Sequence, residues 1–91
     1  MIYALEFTKT AKQELSDLKK NDTIAYNKAM QLLDEISEHP RIGTGRPEIL
    51  KYDYAGCWSR RINQKHRLIY RIEEEVVIVF VLKIVGHYDD K

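Results

Sequence analysis

The sequence predicts an α+β fold: a small, mostly antiparallel sheet with an N-terminal helical hairpin packed on one face, in the order β-α-α-β-β-β. Three observations carry this expectation. The chain opens on an alternating stretch, "IYALEF". Two stretches of helical periodicity fill the region up to Pro40. A β-branched, almost wholly apolar run, "VVIVFVLKIV" (residues 76–85), lies near the end.

In the opening stretch Tyr3, Leu5 and Phe7 share one face, the period-2 signature of a half-buried strand. Thr8 or Thr10 then caps a helix, Thr10 having Gln13 at capping-box spacing. Ala11, Leu15 and Leu18 form its stripe, and Lys19, Lys20 and Asn21 close it. Asp22 caps a second helix with the stripe Ala25, Ala29, Leu32, Leu33 and Ile36. Pro40 ends this helix by disfavouring helical geometry at His39. The joint of about three residues between the helices makes them an antiparallel pair. "RIGTGRPEIL" reads as a loop. A short strand is expected over residues 51–54, with Gly56 a bend or bulge. Residues 57–62 and 67–72 are expected to be two strands of a hairpin, and "EEE" (residues 73–75) a turn. The run 76–85 is expected to be a central strand buried on both faces, because exposed it invites aggregation.

The 91 residues point to a single domain. Cys57 is the only cysteine, so no internal disulfide forms and a reducing cytoplasmic setting is expected. No targeting segment is read at the start, and the longest apolar run is half of the roughly 20 residues that a membrane helix needs. No set of His, Cys or acidic residues has metal-ligand spacing, and no phosphate-cradling glycine fingerprint is present, so neither metal nor cofactor is expected.

The net charge of +1 conceals a strong segregation. Residues 1–40 carry −2, residues 72–91 carry −3, and residues 41–71 carry +6, from Arg41, Arg46, Lys51, Arg60, Arg61, Lys65, Arg67 and Arg71 against Glu48 and Asp53. A cationic block of this kind binds polyanions or acidic partners, although it is also compatible with a solvated hairpin. Whether Arg61 and Arg67 act together depends on the hairpin loop. A two-residue loop puts them on opposite faces, whereas a three-residue loop or a bulge puts both on one face.

Three dispersed pieces are candidates for one site: "RPEILK", "WSRRINQKHRLIY" and "GHYDDK". Taken singly, each residue has an ordinary reading: Glu48 in a surface ion pair, His87 in a polar tail, Tyr88 covering a core edge, His66 in a turn and Cys57 in packing. Taken together they describe RNA cleavage by its own 2′-hydroxyl. That reaction needs a base (Glu48), cations for the phosphorane charge (Arg61 and Arg67) and an acid for the leaving 5′-oxygen (His87). Tyr88 can stack on a base or hydrogen-bond a phosphate.

The stretches "GRPEILK" (45–51), "GCWSRRINQKHRLIYRI" (56–72) and "GHYDD" (86–90) resemble the YoeB/Txe-type toxins of bacterial toxin–antitoxin modules, within the RelE/ParE superfamily. The match is dense over residues 43–72 and at the tail, while residues 1–40 agree only in layout. Ile49 stands where many relatives repeat a proline, and Cys57 replaces an aromatic of some members. The resemblance implies a RelE-like fold and a ribosome-dependent endoribonuclease that cuts mRNA in the A site and inhibits translation. It also implies a YefM-type antitoxin that inhibits by direct binding; the sequence leaves open whether the toxin is a monomer, a homodimer or part of a toxin–antitoxin hetero-oligomer. By position, it implies Glu48 as base, His87 as acid, Arg67 at the transition-state phosphate, Lys51 and Arg61 as phosphate contacts, and Tyr88 orienting substrate. Arg60 and Lys65, on the same hairpin, join the expected RNA-binding set on charge. Two rival readings stand beside this one. A ParE-like gyrase-binding toxin needs neither base nor acid, and a non-catalytic RNA- or ribosome-binding module has no use for Glu48, which repels phosphate.

Overall fold

The computed structural model describes residues 2–86. Strand β1 (Ala4–Phe7) leads into helices α1 (Lys9–Asn21) and α2 (Thr23–Glu38). Four strands follow: β2 (Glu48–Ile49), β3 (Trp58–Arg61), β4 (His66–Glu73) and β5 (Ile78–Gly86). The five strands form one sheet in the order β1-β5-β4-β3-β2, antiparallel throughout except for the parallel pair β1–β5.

The helical hairpin forms for local reasons. Thr8, not Thr10, is the N-cap of α1, its hydroxyl accepting from the Ala11 amide at 3.0 Å. Asp22 alone joins the helices, a tighter joint than expected. Its backbone N–H closes α1 on the Leu18 carbonyl and its carboxylate caps α2 at the Ala25 amide. The α2 stripe Ala25, Ala29, Leu32, Leu33 and Ile36 is buried throughout, against Leu68, Tyr70, Val79, Val81 and Ile84 of the sheet. Each fully buried Leu, Ile or Val among them contributes on the order of 1.5–3 kcal/mol by leaving water, and each alanine methyl about 0.8 kcal/mol.

Two strand expectations are corrected. Residues 51–54 are not a strand: Tyr52–Tyr54 form a 3-10 turn, and Tyr52 has φ 60°, which extended backbone does not allow. The strand at this edge is the two-residue β2, paired with Ser59 and Trp58. The run at β5 is interior, between β1 and β4, but only one of its faces is fully buried.

A bulge in β5 explains the pattern of that run. Ile69 pairs with Lys83 and Tyr70 with Val81, so Leu82 is the extra residue. Regular alternation after Val79 and Val81 would drive Lys83 into the core. The bulge instead presents Ile84 to the helices and leaves Lys83 over the Tyr54 ring, 6.0 Å from its centroid. Backbone groups around the bulge are satisfied from the helix layer. The Thr8 hydroxyl donates to the Leu82 carbonyl, and the Ile84 amide donates to the Glu14 carboxylate at 2.8 Å.

Candidate active site on the open face of the sheet

The β3–β4 hairpin resolves the parity question. Ile62 donates to the His66 carbonyl across a three-residue loop, and Arg61 and Arg67 are direct cross-strand partners on one face. The loop is held by Asn63, whose side-chain oxygen accepts from the Lys65 and His66 amides. Arg61 is exposed, and Arg67 is partly buried.

Glu48 reaches this face through β2. Its register partner is Ser59, which in turn faces Ile69 and then Lys83 across the sheet. The next row toward the hairpin tip is Arg61, Arg67 and Val85. Across these rows the Arg67 Nη1 donates to the Glu48 Oε1 at 2.8 Å. Glu48 keeps 53% of its side chain exposed against 19% for Arg67, so the carboxylate stands at the rim with the guanidinium beneath it. Ile69, Leu50 and Cys57 form a small apolar floor, with Tyr54, Leu82 and Val85 around it. Burial pushes the Cys57 thiol up, which suits packing rather than attack. Among the described residues no group of three or more His, Cys, Asp or Glu is arranged to hold a metal ion. No helix among them is long and apolar enough to cross a membrane.

Arg60 does not belong to the phosphate-binding set. Alternation turns it to the helix side, where it is fully buried and all five guanidinium N–H groups are used. Nε donates to the Tyr70 hydroxyl, Nη1 to Glu35 and the Thr44 carbonyl, and Nη2 to the His39 and Ile42 carbonyls. Tyr70, whose hydroxyl burial pushes up, stays a phenol and donates to the Pro40 carbonyl. Glu35 also accepts from the Thr44 amide and hydroxyl. The Thr44 amide first, then its hydroxyl and Arg60, hold the Glu35 carboxyl below the usual glutamate range, against an opposing push from burial.

Of the other expected residues, Lys51 is exposed just before the 3-10 turn. Lys65 sits at the hairpin tip and lines a cavity of about 380 Å³ on the helix side, with His66, Glu14, Asp17 and Asp22, away from Glu48. His87 and Tyr88 lie outside the described residues. Ser59 was given no role by sequence. It is 1% exposed, its hydroxyl has no hydrogen-bond partner among the described residues, and it is the register partner of Glu48. The alternation linking residues 59, 61 and 67 is the signal that finds it.

A helical hairpin on one side of a five-stranded sheet, with a carboxylate and two arginines in register on the other, defines a RelE-like toxin fold. Residues 7–88 match the model of the YoeB-like toxin of the bacterial type II toxin–antitoxin system. A Toxin YoeB from Synechocystis is 32% identical over 84 residues, covering 92% of this chain and 95% of its own. The structure of a YoeB/ParE toxin from Agrobacterium tumefaciens superposes with a TM-score of 0.86 at 32% identity, covering 93% of this chain and 99% of that one. The toxin in a heterotetrameric YoeB–YefM complex from Staphylococcus aureus does so with a TM-score of 0.80 at 29% identity, covering 97% and 100%. The chain therefore belongs to the YoeB-like toxins of bacterial type II toxin–antitoxin systems.

Proposed function

We propose that this toxin is a ribosome-dependent endoribonuclease that cleaves mRNA in the A site and so inhibits translation. The observation that carries the reading is the Glu48–Arg67 pair, 2.8 Å apart on the open face, with Arg61 in register beside Arg67. Glu48 takes the proton of the ribose 2′-hydroxyl, and the freed oxygen attacks the neighbouring phosphorus. Arg67, with Arg61 and Lys51, stabilises the negative charge that builds on the phosphoryl oxygens. His87 protonates the departing 5′-oxygen, leaving a 2′,3′-cyclic phosphate and a 5′-hydroxyl, and Tyr88 orients the substrate. An incoming phosphate competes with Glu48 for Arg67. As the guanidinium turns to the phosphate, the carboxylate is released to act on the hydroxyl.

The same arginines are the natural target of inhibition. An acidic or amphipathic segment of a YefM-type antitoxin is proposed to cover Arg61 and Arg67 in a cytoplasmic toxin–antitoxin complex. The +6 charge of residues 41–71 supports it.

Mapping 5′ ends of a reporter mRNA in a cell-free translation system tests the reading, using the protein and Glu48→Gln, with and without ribosomes. New ends inside the A-site codon that require ribosomes and vanish in Glu48→Gln are expected. Intact mRNA in every lane rejects the enzyme and directs the work to a gyrase supercoiling assay.

A further inference from the structure

Leu50 anchors the chain after Glu48 in the apolar floor, but between Pro40 and Glu48 the loop has almost nothing apolar to hold it. Arg41, Ile42, Gly43, Thr44 and Arg46 are all exposed, and β2 is only two residues long, too short to set its own register. What holds this loop is polar, with Arg60 and Tyr70 buried at its centre and Glu35 and Thr44 at its rim. The Arg60 guanidinium reaches His39, Ile42 and Thr44 directly, and Pro40 through Tyr70, while Glu35 grips Thr44 from α2. The Arg61 amide, next in the chain, donates to the Gly45 carbonyl at 2.7 Å and hands the loop to the edge of β3. Glu48 pairs with Ser59 three residues later. The glycines fit this wrapping. A Cβ on Gly43, at φ 129°, would run into the Glu35 carboxylate, and one on Gly45, at φ 87°, would lie 2.9 Å from the Arg61 carbonyl.

We propose that Arg60 is a positioning residue for the reaction: its buried guanidinium clamps residues 39–44 and thereby sets Glu48 at the height and register from which it meets Arg67 and the ribose hydroxyl. This rests on the ribonuclease reading for the role of Glu48, but the clamp itself can be tested separately. A displacement of about 1 Å in a reacting group costs about 10²-fold in rate. Lysine keeps the charge of Arg60 but cannot fill a fork of five bonds.

The experiment compares the protein with Arg60→Lys, Arg60→Ala and Glu35→Gln on ribosome-bound mRNA under multiple turnover. Arg60→Lys is expected to keep KM within about threefold while kcat falls about 100-fold. Methylguanidinium added to Arg60→Ala is expected to restore cleavage, and to restore none in Glu48→Gln. Wild-type kcat in Arg60→Lys overturns the proposal. So does a loss of rate that only tracks the unfolded fraction. If the Arg60 variants do not fold, Glu35→Gln carries the test through amide exchange. Exchange at Arg61 and over residues 44–48 at least tenfold faster, with the helices unchanged, supports the clamp, and unchanged exchange overturns it. If the wild type cleaves no mRNA, the ribonuclease reading fails, while amide exchange in Arg60→Lys, or in Glu35→Gln where that variant does not fold, still decides whether the Arg60–Glu35 clamp sets the loop.

Discussion

Glu35 shows how one carboxylate can tie a helix to a loop. It accepts from the Thr44 amide, the Thr44 hydroxyl and Arg60, and its proton affinity is lowered on folding. A carboxyl lowered in this way contributes stability that is fully present above the unfolded glutamate value of about 4.3, and that is lost as pH falls through the lower folded value. Thermal melts should therefore show Tm declining below about pH 4.3, and Glu35→Gln should flatten that acid limb while lowering Tm at pH 7. Gly43→Ala should destabilise through the same contact, since its methyl group meets the carboxylate and its φ of 129° disfavours any side chain. A loss of at least about 1 kcal/mol by urea denaturation is expected. In the site itself, the proposed function requires that Arg67→Gln reduce the rate of A-site cleavage by about 10²–10³-fold, the usual consequence of removing one preorganised donor from a developing oxyanion. Single-turnover kinetics measure it directly.

At the level of elements, the bulge in β5 decides the most. It allows a strand containing Lys83 to lie against a helical hairpin, because the parity change at Leu82 exchanges Lys83 for Ile84 on the buried face. The arrangement leans on α1, since the Ile84 amide donates to Glu14. Glu14→Ala leaves that amide without its partner and should cost about 1–3 kcal/mol. Equilibrium denaturation, with faster amide exchange at Ile84, is the check. The three-residue hairpin loop acts in the same way for the arginines. One residue fewer would separate Arg61 from Arg67 by the thickness of the sheet.

Across the whole molecule, charge and architecture divide the work between two faces. The helix face supplies stability, through an apolar core with Arg60 buried beside it. The open face gathers Glu48, Arg61 and Arg67. An electrostatic contact to phosphates implies salt dependence. On the proposed function, binding to ribosome-bound mRNA should weaken steeply between 50 mM and 200 mM salt, with a slope reduced by about one charge in Arg61→Gln. Glu48→Gln should bind at least as well as the wild type while failing to cleave, because the neutral side chain no longer repels phosphate. Filter binding in parallel with 5′-end mapping separates the two effects.

Much of this was legible along the chain. Period-2 and period-3.6 patterns located β1, α1 and α2, since burial of a regular element imprints its own period on the residues, and the β-branched apolar run located β5. The α2 stripe is buried residue for residue. The family could be read because "WSRRINQKHRL" is dense and local. The rest depended on contacts between distant segments. Arg60 and Arg61 are adjacent and chemically identical, and composition counts both as cations. Only strand alternation in a sheet with one covered face sends Arg60 into the core and Arg61 to solvent. The bulge, the pairing of Arg61 with Arg67 and the approach of Glu48 to Arg67 are likewise properties of register, set by where neighbouring strands and helices offer hydrogen-bond partners. The sequence by itself thus determined the two helices, β1, the hairpin strands, β5 and the family they belong to, but not the short edge strand β2. The tertiary structure alone decided which face each charge occupies, because that is fixed by packing against parts of the chain far away in sequence.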